Sequence, residues 1–408
     1  MKKNDFGIGI SLFCSAGLLV FSLNAARLPS LLPADRAKLG QLVGKELTVS
    51  PQEPRNILVF YRCEGFVHGR SIVVGNEAFR LVAEKTSAFK VDFSDDYACF
   101  RPENLKKYDA VVLNNTTHMK TAEHPFVVPA LIEFVRSGKG LTVIHAGADN
   151  FYQAPEAADM VGGLFCGHPW HSRGVWAIKI EDPSNPINAP FNGKNFKIGE
   201  EIYMQKSPFY DRAKLHILLS LDMSDPATGN ARGQIRKDRD NAVSWIRPYG
   251  KGRLFFTSFG HDQRAWTQAA TLSHIFRGLQ YTIGDLKADD TPTGFSAAEI
   301  QSLKKEAWQV NVYSRIVQLF THFSCETKRA NMARLLPLLT DSEATTACKI
   351  GILRALPLVG GLEDLSPVVA TLKDRETRDL AITFLTTAKN GAPALQAAWA
   401  GADSALRA

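Results

Sequence analysis

Residues Leu141–His171 read LTVIHAGADNFYQAPEAADMVGGLFCGHPWH, and the beginning of this stretch decides the fold. Gly138-Lys139-Gly140 is a turn signal, and Leu141–Ile144 is a short apolar run of the kind that fills a strand buried on both faces. The run stops at His145, where Ala146-Gly147-Ala148 are small enough for a sharp turn. His145 therefore stands at the carboxyl end of a buried strand, the end at which ligands bind in open α/β sheets. A second pair of histidines, His168 and His171, follows the Gly162-Gly163 break.

Working outward, Asn56–Tyr61, Val91–Ser94 and Asp109–Asn114 are similar short apolar runs. Helical patterns over Val74–Lys85 and Phe126–Ser137 lie between them. Strands alternating with helices at this spacing predict βαβ units and a parallel sheet. Past His171 the pattern changes. Val175–Ile180 and Phe196–Met204 alternate like edge strands, and Leu215–Leu221 is continuously apolar. Ala242–Ile246 and Leu254–Ser258 flank Pro248-Tyr249-Gly250-Lys251-Gly252 and predict a hairpin. An amphipathic helix over Thr267–Ile283 closes the unit. The fold class is α/β: a doubly wound, mainly parallel sheet with added antiparallel strands, followed by a small all-α region.

The chain divides at 26, 55, 285 and 295. Lys2 and Lys3, the apolar run Gly7–Leu23 and Asn24-Ala25-Ala26 read as a signal peptide or N-terminal anchor over residues 1–26. The folded part is then expected to be exported, periplasmic or membrane-anchored and facing outward. Residues 27–55, with Pro29, Pro33, Pro51 and Pro54, read as a linker to a domain over 56–285. A second linker over 286–295 leads to a helical region over 296–408. There Leu339–Leu353 and Leu372–Leu385 resemble each other, which predicts short HEAT-like repeats and a surface for a protein partner.

Composition narrows the function classes. The 408 residues are 45% hydrophobic and 22% charged, with a net charge of +7. Arg236-Lys237-Asp238-Arg239-Asp240 is broken by acids, so no basic stripe for nucleic acid is expected. The six cysteines form no CxxC and read as thiols rather than a disulfide framework. Gly138-Lys139-Gly140 precedes a strand instead of following one, so no nucleotide cofactor is expected. The elbow after the central strand carries His145 and no Ser or Cys, which argues against nucleophilic hydrolase or amidotransferase chemistry.

Histidine stands out. His68, His145, His168, His171 and His261 all sit at predicted strand ends or in adjacent loops, and Glu201 alternates with Tyr203 after Glu200. Neutral imidazoles with a carboxylate suit a divalent ion such as zinc, and equally suit proton transfer near neutral pH. His118, His124 and His216 read as structural hydrogen bonders, and His274 and His322 as helix packing or surface residues.

The ordered segments NILVFYRCEGFVH, DAVVLNNTT, GKGLTVIHAGADNF, VGGLFCGHPWH, GEEIY and VSWIRPYGKGRLFFTSFGHD resemble the ThuA-like (trehalose utilisation) family over Asn56–Gly284. The resemblance implies a flavodoxin-like sheet similar to that of class I glutamine amidotransferases, without their catalytic cysteine. It also implies a carbohydrate substrate: a 3-keto-glycoside or disaccharide, cleaved by elimination or hydrolysis. Such a reaction needs a base, an acid for the leaving oxygen and something to hold enolate charge. Carried over by motif, the catalytic positions are His68, His145, Glu201 and His261, with His168 next. His145, Glu201 and His261 are the candidate metal ligands. Asn114, His171, Tyr203, Trp245 and Asp262 are candidates for the substrate wall. A non-catalytic carbohydrate-binding or partner-docking module is the alternative.

Overall fold

The strands are β1 (Asn56–Phe60), β2 (Lys90–Ser94), β3 (Ala110–Asn114), β4 (Gly140–Ile144), β5 (Trp176–Ile180), β6 (Phe196–Ile198), β7 (His216–Leu221), β8 (Ala242–Tyr249) and β9 (Gly252–Thr257). They come from a computed structural model that describes residues 28–400, apart from 45, 46, 48, 207, 213, 237, 238, 296, 321–324 and 363. They form one sheet in the order β2-β1-β3-β4-β9-β8-β7-β5-β6. The β2 to β9 half is parallel, and every later pairing is antiparallel. This is a flavodoxin-like parallel sheet with an antiparallel extension.

Burial on both faces explains the uninterrupted apolar runs. Ile57, Val59, Val112 and Ile144 face the helices Gly69–Thr86 and Ala269–Thr282. Leu58, Phe60, Val111, Leu113 and Val143 face the helices Val127–Arg136 and Pro155–Val161. The β8–β9 hairpin turns at Gly250-Lys251, with Tyr249 paired to Gly252 and Gly250 at a φ of 62°.

Three segments differ from the sequence reading. The strand expected over Phe196–Met204 pairs with β5 only over Phe196–Ile198; beyond it Ile202 and Gln205 make isolated bridges to Trp170 and Phe165 instead, and the Glu200 carboxylate accepts the Glu201 N–H. Within the 27–55 linker, Pro33–Leu42 is a helix. Leu39 and Val43 pack beside Phe79, while Asp35 and Arg36 pair with Arg70 and Glu77. Residues 286–295 are strapped to the sheet: the Thr293 N–H donates to the Leu215 carbonyl and the Tyr281 hydroxyl to Asp290.

Past this strap the chain is helical and has its own apolar core, built around Ile316, Leu335, Ile352, Val359 and Leu385. The two similar segments are each a short 3-10 turn followed by a helix, Thr346–Ala355 and Arg378–Thr387. The signal or anchor reading of 1–26, and His322, lie outside the described residues. Among the described residues no helix is long and apolar enough to cross a membrane. Cys63, Cys99, Cys166 and Cys348 are free thiols.

Candidate functional site

Three strand ends deliver three imidazoles to one point. The loop after β1 ends at His68, the residue before the helix Gly69–Thr86. β4 leads directly into His145, whose φ of 45° is left-handed. That conformation costs a non-glycine residue about 1–2 kcal/mol and persists only where surroundings impose it. β9 ends at Thr257, and the chain runs on through Gly260, at a φ of 114°, into His261. The ring centroids of His68, His145 and His261 are 5.0, 5.2 and 5.2 Å apart, with planes nearly perpendicular.

Glu201 completes the group from the loop beyond β6. Its Oε1 lies 3.8 Å from His145 Nε2 and 3.6 Å from His261 Nε2, and its Oε2 lies 3.4 Å from His168 Nδ1. One ligand atom from each of His68, His145, Glu201 and His261 falls within 4.8 Å of the others. The His145 Nδ1–H donates to the Ser258 carbonyl at 2.7 Å, which fixes the tautomer and leaves Nε2 a bare lone pair. His145 Nε2 and His68 Nδ1 are both buried without a hydrogen-bond partner. Leaving such groups unsatisfied costs about 1–3 kcal/mol each. The donor set and the bare nitrogens fit a divalent transition ion, which these four residues could hold.

Burial, followed by repulsion from His261 and His168, depresses the His68 pKa to about 3. Burial, with His68 and His261 next, holds His145 well below the usual value. Both rings are neutral at pH 7. Burial also acts against charge on His261, but Asp262, Glu201 and Glu200 outweigh it and its pKa is raised. Glu200 is fully buried, which pushes its pKa up to about 8. It accepts the N–H groups of Glu201 and Gly260 and so ties the two ligand-bearing loops together.

The other sequence candidates separate. The Tyr203 ring packs tilted against His145 with centroids 4.2 Å apart, and burial keeps its phenol protonated. Half-exposed His168 lies at the open side of the cluster, stacked on Phe165. Asp262 caps the helix Gln263–Trp266, pairs with Arg264 and sits 3.9 Å from His261 Nδ1, a buried nitrogen with no hydrogen-bond partner. Asn114 is not at the cluster surface: its amide donates to Ile72 and Asn76 and anchors the helix after His68. Trp245 is core, stacked on Phe256 with its N–H on the Val161 carbonyl. His171 packs against Trp176.

His124 stacks on Tyr97, His216 bonds to Asp182, and His274 is buried against Ser244. Cys166 donates to the Met204 carbonyl, and burial raises its pKa.

The sequence reading missed two features. One is the structural part of Glu200, for which the Glu200-Glu201 doublet was the available signal. The other is a group at the same strand ends, where Asp149 accepts from the Tyr152 hydroxyl and lies 3.5 Å from His118 Nε2. Asn115, His118 and Phe151 around it all have positive φ, which no local pattern announced.

A family model described as "ThuA: Trehalose utilisation" matches residues 56–282. No curated protein matches the chain in sequence. A ThuA-like protein from Bacteroides uniformis is similar at 18% identity over 57% of this chain and 93% of its own, with a TM-score of 0.45. One from Parabacteroides merdae is similar at 16% identity over 60% and 96%, with a TM-score of 0.40. A β-galactosidase from Rahnella sp. R3 is similar at 13% identity over 56% of this chain and 31% of its own, with a TM-score of 0.35.

Proposed function

The chain belongs to the ThuA (trehalose utilisation) family, and from that premise we propose that it is an exported enzyme that cleaves a 3-keto-glycoside or keto-disaccharide at the His68, His145, His261 and Glu201 cluster. Family membership points to a carbohydrate-related role. The observation that carries the finer reading is the convergence of three imidazoles and a carboxylate, each ring with one nitrogen buried and without a hydrogen-bond partner. Export rests on Lys2, Lys3 and the apolar run Gly7–Leu23.

A ketone at C3 acidifies the C2 hydrogen. A base takes that proton, the electron pair moves toward the C3 oxygen, and its return expels the C1 oxygen, which leaves with a proton. His168 is half-exposed at the open side and lies 3.4 Å from Glu201, so it is the proton carrier that substrate meets first. The phenol of Tyr203, kept protonated by burial beside His145, offers a hydrogen bond to developing oxygen charge. Neutral His68 and His145 present lone pairs to the centre of the cluster. A divalent ion held by His68, His145, His261 and Glu201 would supply positive charge against the enolate oxygen. Exposed Phe66, packed on His68, offers an aromatic face at the rim for a sugar ring.

The test is incubation of purified protein with 3-keto-trehalose, following glucose release with and without chelator. Turnover that chelator and His145→Ala both abolish is the expected result. Binding without turnover in wild type and variant alike would instead identify a carbohydrate-binding module.

A further inference from the structure

We propose that His118, oriented by Asp149, is a second proton carrier of the site, the one that protonates the leaving oxygen. The inference rests on the elimination set out above. That reaction moves two protons: one is taken from C2, and another must reach the C1 oxygen as its bond to carbon breaks. His168 serves as one carrier, and the chemistry calls for one more.

His118 stands at the same edge of the sheet as the histidine cluster. Isolated parallel bridges join Cys63 to Thr117 and Thr117 to Asp149, which ties together the loops after β1, β3 and β4. The first of these loops delivers His68 and the last follows His145, with Asp149 just past the 3-10 turn His145–Ala148. The middle one delivers His118. Gly65 brings the first loop against its ring: a Cβ there would lie 2.9 Å from His118 Cδ2.

The pair has the layout of a carboxylate that aims an imidazole. Buried Asp149 accepts from the Tyr152 hydroxyl, and its Oδ1 lies 3.5 Å from His118 Nε2. Such contacts are often long in a free enzyme and tighten with substrate. The His118 N–H also donates to the Asp149 carbonyl at 2.8 Å, so backbone and side chain hold the same two residues together. With Nε2 on the carboxylate, Nδ1 is the nitrogen left for substrate, and the side chain is half-exposed. A carboxylate behind the ring stabilises the imidazolium that donates. The φ of His118 is 49°, beside 55° at Asn115 and 62° at Phe151. A solvent-facing ion pair gains too little to account for such backbone, and strain of this kind gathers at functional sites. Exposed Tyr152, its ring centroid 5.5 Å from that of His118, extends the aromatic rim begun by Phe66 and offers a face to the departing sugar.

The step balances. The electron pair released at C2 forms the C1=C2 bond, the C1–O bond breaks, and its oxygen takes the proton from His118 Nδ1. His118 is left neutral and regains a proton from solvent.

The test gives the full chain two substrates. One is 3-keto-trehalose, whose leaving sugar oxygen needs a proton; the other is a 3-keto 4-nitrophenyl glucoside, whose phenolate leaves without one. His118→Asn and His118→Gly both tolerate a positive φ, and melting curves establish that they fold. Each should lower kcat on 3-keto-trehalose at least about 100-fold and on the nitrophenyl substrate less than about tenfold. Asp149→Asn should show the same split, whereas a merely structural role would lower both rates alike. Equal losses on the two substrates, or no loss on either, would overturn the His118 assignment and leave the elimination standing. Absence of turnover of both substrates by wild type would overturn the elimination and this proposal with it.

Discussion

Replacing Glu201 by Gln separates holding a cation from holding the fold. Without metal, the carboxylate lies 3.8 and 3.6 Å from His145 and His261, so a neutral amide of the same shape should change stability by about 1 kcal/mol or less. With metal the two proteins diverge. A cation at 100 times its Kd adds about 2.7 kcal/mol to the folded state. For a domain of this size that raises Tm by about 5–10 °C. Groups that merely orient a ligand are worth about 10–100-fold in metal affinity, and a donor atom is worth at least the upper figure. At the same cation concentration Glu201→Gln then keeps about 0.4 kcal/mol, a shift of about 1 °C. The assay is thermal denaturation of EDTA-treated, dialysed protein with zinc and manganese added separately. His118→Ala, outside the cluster, should shift as wild type does. A wild type unmoved by either ion at millimolar concentration, or a Glu201→Gln protein that shifts as far as wild type, would refute the metal assignment.

His216 and Asp182 predict a pH-dependent strap. Burial acts to lower the His216 pKa, but bonds to Asp182 and the Thr291 carbonyl leave it raised, while His216 depresses Asp182. The His216 contribution is complete below pH 6.5 and fades as pH rises through its raised folded value. The Asp182 contribution is complete above pH 3.8 and fades as pH falls through its depressed folded value. The Tm difference between wild type and His216→Ala should therefore be largest near pH 5 and shrink by pH 9 in a melting series. Gly147→Ala places a Cβ 2.7 Å from Val143 Cγ1 and 3.0 Å from the Leu113 carbonyl. It should cost about 1–3 kcal/mol in chemical denaturation. Cys166, its pKa raised by burial, should react slowly with iodoacetamide at pH 7 and leave any turnover unchanged when it does. Fast labelling that abolished turnover would revive nucleophilic chemistry.

Local pattern carried most of the sheet. β1, β3 and β4 are legible because both faces are buried, so most positions select an apolar side chain, and glycines mark the ends of β4. The β8–β9 hairpin is legible from its turn residues. Where a segment's partner lies far along the chain, pattern misleads. Pro33–Leu42 reads as a linker because its helix is held by Phe79, Arg70 and Glu77, none nearby in sequence. Glu201 reads as a strand residue because alternation cannot register that the chain leaves β5 after Ile198 and bridges to Phe165 and Trp170.

The site divides along the same line. By itself the sequence determined which histidines stand at strand ends: an apolar run, then His close to a glycine, as at His145 and His261. Only the tertiary structure decided that His68, His145, Glu201 and His261 share one point, and that Asn114 and Trp245 turn inward. The reason is strand order. β4 and β9 are neighbours in the sheet, although the segment between them spans residues 145–251. Hydrogen bonding across that gap, not any property of the intervening residues, sets His145 against His261.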